Sequence, residues 1–131
     1  MELNTFGFIG LGLIGGSLAK ALKQWKPECR IMAYTRSEST SSMAFKEHTI
    51  DIICKSPSDL LFAACDCVFL CAPVGSNIAA LEQLKGVVRP DCILTDVGSV
   101  KTDIHEAVTA MGLDGHFIGG HPMTGSEKSG Y

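Results

Sequence analysis

At 131 residues the chain falls within the usual range of one compact domain and can bury a real core. Its formal net charge of −3 excludes a broadly basic surface that would attract nucleic acid or an anionic membrane, so any bound anion must be gripped by local groups. The apolar run from Phe6 to Ala19 is threaded with glycine, follows acidic Glu2 rather than a basic leader, and is shorter than the roughly 18 to 20 residues a spanning helix needs, which leaves the cytoplasm as the default location.

Short apolar runs alternate with longer stretches of helical period, the mark of successive strand–helix units. A first strand is predicted over Phe6–Ile9. It is followed by a helix whose stripe Ile14, Leu18, Ala21, Leu22 and Trp25 should pack on the sheet. A second strand is predicted over Ile31–Tyr34, then a polar link from Glu38 to Glu47 that periodicity does not assign. A third strand over Ile50–Ile53 and a short helix within Ser58–Ala64 come next. The fourth strand, Cys67–Cys71, leads to a helical stripe of Ile78, Leu81, Leu84 and Val88. Strand Ile93–Asp96, a stripe of Ile104, Ala107, Val108 and Met111, and strand His116–Ile118 complete the order. Nearly continuous apolar strands are those covered on both faces. The fold class is therefore α/β, a doubly wound, mostly parallel sheet in one domain over residues 1–131.

Six cysteines, at 29, 54, 65, 67, 71 and 92, raise the question of disulfides or metal. Cys65, Cys67 and Cys71 form CxCxxxC, which is not a standard zinc spacing, and two of them lie inside the apolar run CVFLCAP. Reduced cysteine acting as a small hydrophobe is the better reading, and no metal is assigned.

The stretch FIGLGLIGGS, residues 8 to 17, fits GxGxxG at Gly10, Gly12 and Gly15. The pattern also arises by chance, but here it leaves a predicted strand and opens a predicted helix, which is the context a dinucleotide turn requires. Gly10 permits the tight turn, and Gly12 lacks the Cβ that would block a pyrophosphate. Gly15 lets helix and strand pack closely, while the first turn, with Leu13 and Ile14, offers N–H groups and partial positive charge to phosphates. About 20 residues after the last glycine an acid normally accepts hydrogen bonds from the adenosine ribose. The sequence there is AYTRS, with Thr35 in the acid's place and Arg36 and Ser37 after it. A carboxylate repels a 2′-phosphate, whereas an arginine flanked by hydroxyls receives one. NADP is favoured, with NAD as the alternative; the plain alternative for Arg36 is a solvated charge in a polar turn.

In an open parallel sheet the crevice lies beyond the carboxyl ends of the strands, so residues just after each strand carry the functional information. After the fourth strand, Ala72, Pro73 and Val74 form an apolar wall suited to an adenine or nicotinamide ring, or simply a proline-terminated strand. After the fifth comes TDVGSVKTD, where Gly98 adjoins the cofactor side. There Ser99 serves as a helix N-cap, as a catalytic hydroxyl, or as both. After the sixth comes GGHPMTGSEKSGY. His121 precedes a proline and stands opposite the dinucleotide turn, where an imidazole can share a proton near neutral pH. His48, His105 and His116 are read as structural or exposed.

GLGLIGGSLA (10 to 19), DCVFLCAPV (66 to 74), LTDVGSVK (94 to 101) and GGHPMTGSEKSG (119 to 130) together resemble the N-terminal half of prephenate dehydrogenases, and the last two motifs in combination are specific. The resemblance implies a Rossmann-type domain serving oxidative decarboxylation of prephenate, or in some members arogenate, in tyrosine biosynthesis. By that resemblance His121 draws off the proton of the ring hydroxyl, Ser99 orients that hydroxyl and the nicotinamide, and Glu127 and Lys128 lie at the substrate. Two departures stand out. The ribose acid of the NAD-using members is absent, and so is the family's helical C-terminal half, which dimerises and supplies cations to the substrate carboxylates. The expectation is a domain truncated within the catalytic loop that holds the dinucleotide but does not turn over prephenate alone, whereas the full-length protein is a homodimer. Two rival readings are another β-hydroxyacid-type dehydrogenase and a non-catalytic dinucleotide-sensing module.

Overall fold

The computed structural model describes residues 3–97, 101–112, 115 and 117–119, with the backbone alone at 74, 101–105 and 117–119. Six parallel strands form one sheet: β1 (Thr5–Ile9), β2 (Arg30–Tyr34), β3 (Ile52–Ile53), β4 (Cys67–Leu70), β5 (Ile93–Asp96) and β6 (Phe117–Gly119). Their spatial order is β3-β2-β1-β4-β5-β6. The chain thus winds outward in one direction from β1 and in the other from β4. Helices α1 (Gly12–Trp25), α2 (Glu38–Lys46), α3 (Val74–Leu84) and α4 (Lys101–Ala110) connect the strands, with a 3-10 turn at Leu60–Ala64 before β4. The polar Glu38–Glu47 link is therefore a helix. Its start is fixed by Ser37, whose hydroxyl accepts the Thr40 amide, a cap that outweighs weak apolar periodicity.

Alternation along the strands divides the core between the two faces of the sheet. Phe6, Phe8, Ile31, Ala33 and Cys67 lie with Ala19 of α1 and Ala44 of α2. Ile9, Met32, Val68, Leu70 and Leu94 lie on the other side with Phe62, with Leu81 and Leu84 of α3 and with Val108 of α4. Phe8 and Phe69 stack across β1 and β4 with ring centroids 5.0 Å apart. Five of the six cysteines are buried and all six are free thiols, so they serve as small core side chains.

Two sequence expectations are corrected. The predicted α1 stripe is displaced: Ile14 is 57% and Trp25 68% exposed, Ala21 is also exposed, and the packed face runs through Gly15, Leu18, Ala19 and Leu22. The smallest residues face the sheet because the helix lies too close for large ones. β3 is shorter than Ile50–Ile53, because the Ile50 amide donates to the Ala44 carbonyl at the end of α2 rather than to the ladder. Ile50 is still core, 1% exposed.

At the amino ends of the strands, Asp66 acts as a staple. Its Oδ2 accepts the amides of Asn4 (2.9 Å) and Thr5 (3.0 Å), and its Oδ1 takes the Arg89 guanidinium at 2.8 Å. Burial raises its pKa, but these donors outweigh burial and hold the carboxyl below the ordinary 3.8.

Candidate functional site

β1 and β4 are adjacent, yet the chain leaves them toward opposite faces, through α1 and α3. At such a reversal a crevice opens beyond the carboxyl ends of the strands. Here it is a cleft of about 430 Å³ walled by Gly10–Gly12, Tyr34–Ser37, Cys71–Pro73, Pro57 and the α3 residues Ser76, Ala79, Ala80 and Gln83.

Gly10 joins three walls. Its φ of +83° turns the chain out of β1, and its amide donates to the Tyr34 carbonyl at 2.8 Å. A Cβ there would lie 3.0 Å from the Ala72 amide nitrogen. Gly12 has φ +51°, and a Cβ on it would meet no protein atom within 4 Å. Space is therefore left where a ligand backbone would pass. Gly15 has the opposite surroundings, with a Cβ falling 3.1 Å from both the Gly10 carbonyl oxygen and Cys71 Cβ, so it permits close packing. The N-cap position of α1 is Leu11, which supplies no side-chain acceptor, and its first turn contains no acid. The amides of that turn and the positive end of the helix dipole thus face the cleft without an internal anion, an arrangement that fits a pyrophosphate. Leu13, 88% exposed, and Ile14 belong to the turn without lining the cleft.

The Thr35–Ser37 wall is more internally bonded than its sequence suggests. The Thr35 hydroxyl donates to the Ser37 carbonyl at 2.6 Å, so its single proton is used, and Ser41 donates to it in turn at 2.6 Å. Thr35 thereby fixes the turn that carries Arg36. Ser37 Oγ accepts the Thr40 amide at 3.3 Å and lies 2.9 Å from Ser39 Oγ. Arg36 is exposed at the cleft. On the facing wall, burial with nearby Asp96 pushes the Cys71 thiol up to about 12. It is a neutral surface at physiological pH rather than a nucleophile.

Asn77 was not foreseen. It is 1% exposed, and its Oδ1 accepts the Ala72 amide (3.1 Å) while Nδ2 donates to the carbonyls of Ala72 (2.8 Å) and Leu70 (3.4 Å). One side chain thus holds both polar groups of Ala72 at the cleft wall. The available signal was an asparagine in the first turns of the largely apolar α3, four positions after Pro73. Val74 opens α3. The expected Gly98, Ser99, His121, Glu127 and Lys128 lie outside the described residues.

A family model described as prephenate dehydrogenase, nucleotide-binding domain, matches residues 18–131. The chain belongs to the prephenate dehydrogenase family. It is 37% identical over 127 residues to the prephenate dehydrogenase of Lactococcus lactis, covering 93% of this chain and 34% of that protein. Among solved structures, prephenate dehydrogenase from A. aeolicus in complex with hydroxyphenyl propionate and NAD+ superposes with a TM-score of 0.85 at 30% identity, over 99% of this chain and 45% of that one. Synechocystis arogenate dehydrogenase gives 0.79 at 35% identity, over 94% and 42%. The chain therefore spans about a third of the length of the Lactococcus enzyme and carries the family's nucleotide-binding domain. Among the described residues no helix is long and apolar enough to cross a membrane.

Proposed function

We propose that this chain is the dinucleotide-binding half of an NADP-preferring dehydrogenase that oxidatively decarboxylates prephenate to 4-hydroxyphenylpyruvate in tyrosine biosynthesis. The observation that carries the reading is the uncapped start of α1 beside the open space at Gly12, in a chain of this family. The amides after Gly10 and Gly12 hold the pyrophosphate, Arg36 meets the adenosine 2′-phosphate, and Ala72–Val74 with Gly98 border the bases and riboses. The nicotinamide, when bound, supplies the hydride acceptor.

The remaining chemistry falls to side chains. As the ring carbinol loses its hydrogen, the hydroxyl must shed a proton, and His121 accepts it. Ser99 orients that hydroxyl, and Glu127 and Lys128 stand at the substrate end. Loss of carbon dioxide then restores an aromatic ring. Arogenate presents the same ring, and the likeness to the Synechocystis enzyme named for it supports it as the alternative substrate. The full-length protein is read as a homodimer in which further cations meet the substrate carboxylates.

Full-length protein mixed with prephenate or arogenate and either cofactor should generate the absorbance of reduced nicotinamide. His121→Asn should lower turnover by about 10²- to 10⁴-fold with cofactor affinity nearly unchanged. Absence of substrate-dependent reduction with both substrates would contradict the reading, and full activity of the variant would remove His121 from it.

A further inference from the structure

Beside the dinucleotide cleft lies a second hollow, also of about 430 Å³, which shares Tyr34, Thr35 and Arg36 with it and adds Lys55. The sheet brings the two cations together. Ala33 is opposite Ile53, and the Cys54 amide donates to the Ala33 carbonyl at 2.8 Å. Lys55 follows Cys54 just past the end of β3, and it lines the same hollow as Thr35 and Arg36 just past the end of β2. The backbone of Lys55 is fixed, because its amide donates to Asp59 Oδ2 at 2.9 Å while Asp59 Oδ1 accepts the Leu61 amide at 3.0 Å.

At the amino ends of the strands, Lys23 is paired with Asp51 and Arg89 with Asp66 and Asp91. Among the described residues neither Arg36 nor Lys55 has an ion-pair partner within 4 Å. The hollow also contains Glu38 from the first turn of α2, and Ser42. With Asp59 beside Lys55, two carboxylates stand against the two cations, so loss of either cation leaves the hollow net negative.

We propose that Lys55 is the second ligand of the cofactor's 2′-phosphate, forming with Arg36 a two-cation lobe that selects NADP over NAD. The inference rests on the reading that the adenosine ribose lies at the end of β2. A phosphate monoester carries a charge of about −1.5 to −2 near neutral pH, more than one guanidinium neutralises. Arg36 offers forked donors to two oxygens, and Lys55 adds a point charge from the turn after β3.

The test is calorimetric titration of the chain with NADP+ and NAD+ at low salt, for the wild type, Lys55→Gln, Lys55→Arg and Arg36→Ala, with thermal midpoints as a check on folding. Lys55→Gln should weaken NADP+ about 5- to 20-fold and NAD+ less than about 2-fold, Lys55→Arg should keep most of the preference, and added salt should shrink the difference. A Lys55→Gln variant that keeps the wild-type NADP+/NAD+ ratio, or loses both cofactors equally, overturns the role of Lys55. In that case loss of the ratio in Arg36→Ala leaves the Arg36 reading standing. A wild type without NADP preference overturns both.

Discussion

Gly12 and Gly15 are three positions apart in one motif, yet their surroundings assign them different physical work. A side chain at Gly12 meets only open cleft, whereas one at Gly15 meets the Gly10 carbonyl and Cys71. Gly12→Ala should cost about 1–2 kcal/mol for the left-handed backbone and weaken dinucleotide binding much more than that strain explains. Gly15→Val should cost about 1–3 kcal/mol through overpacking. Chemical denaturation and cofactor titration of both variants check the contrast: equal affinity losses at equal stability would contradict it. These assignments were legible in the sequence, because the motif's spacing carries its geometry. The bonding of Thr35 was not, since Ser41 reaches it only once α2 has formed.

The strands, the doubly wound class and the helices other than α2 followed from alternating apolar runs, but α2, the packed faces and the fasteners did not. The α1 stripe was misplaced because a helix contact made by Gly15 and Ala19 is invisible to a reading that weights large side chains. Asn77 and Asp66 were missed because both act on backbone groups, Asp66 across more than sixty residues. Asn77→Ala should leave the Ala72 amide and carbonyl without their partner. The expected cost is about 1–3 kcal/mol, with a further loss of dinucleotide affinity that Asn77→Gln or Asn77→Ser does not fully restore. Unchanged affinity in a folded Asn77→Ala would show that the β4–α3 turn holds itself.

The Asp66 staple predicts a pH dependence. A carboxyl whose folded pKa lies below 3.8 adds stability that is fully present above its unfolded pKa and is lost as pH falls through that value toward the folded one. Asp59, held low by the amides of Leu61 and Lys55, acts in the same direction. Urea midpoints should hold from neutral pH down to about pH 5 and then fall. Asp66→Ala should cost about 1–3 kcal/mol at pH 7 and flatten the acid limb. An acid limb identical to the wild type would exclude Asp66 as its source.

Taken together, the sheet has two ends with different employment. At the amino ends, acids and bases satisfy one another: Asp66 with Arg89, Asp51 with Lys23. At the carboxyl ends, the α1 terminus has no side-chain cap, and Arg36 stands at the cleft without an ion-pair partner among the described residues. That polarity is what a doubly wound sheet offers an anionic cofactor, and the family places a nucleotide-binding domain here. The most direct measurement is a titration of the isotopically labelled chain with NADP+, following backbone amide resonances by nuclear magnetic resonance. Saturable shifts are expected at Gly10, Gly12, Thr35 to Ser37 and Ala72, with Asn4, Asp66 and Arg89 unmoved; shifts concentrated at the amino ends, or none that saturate, would contradict a carboxyl-end cofactor site.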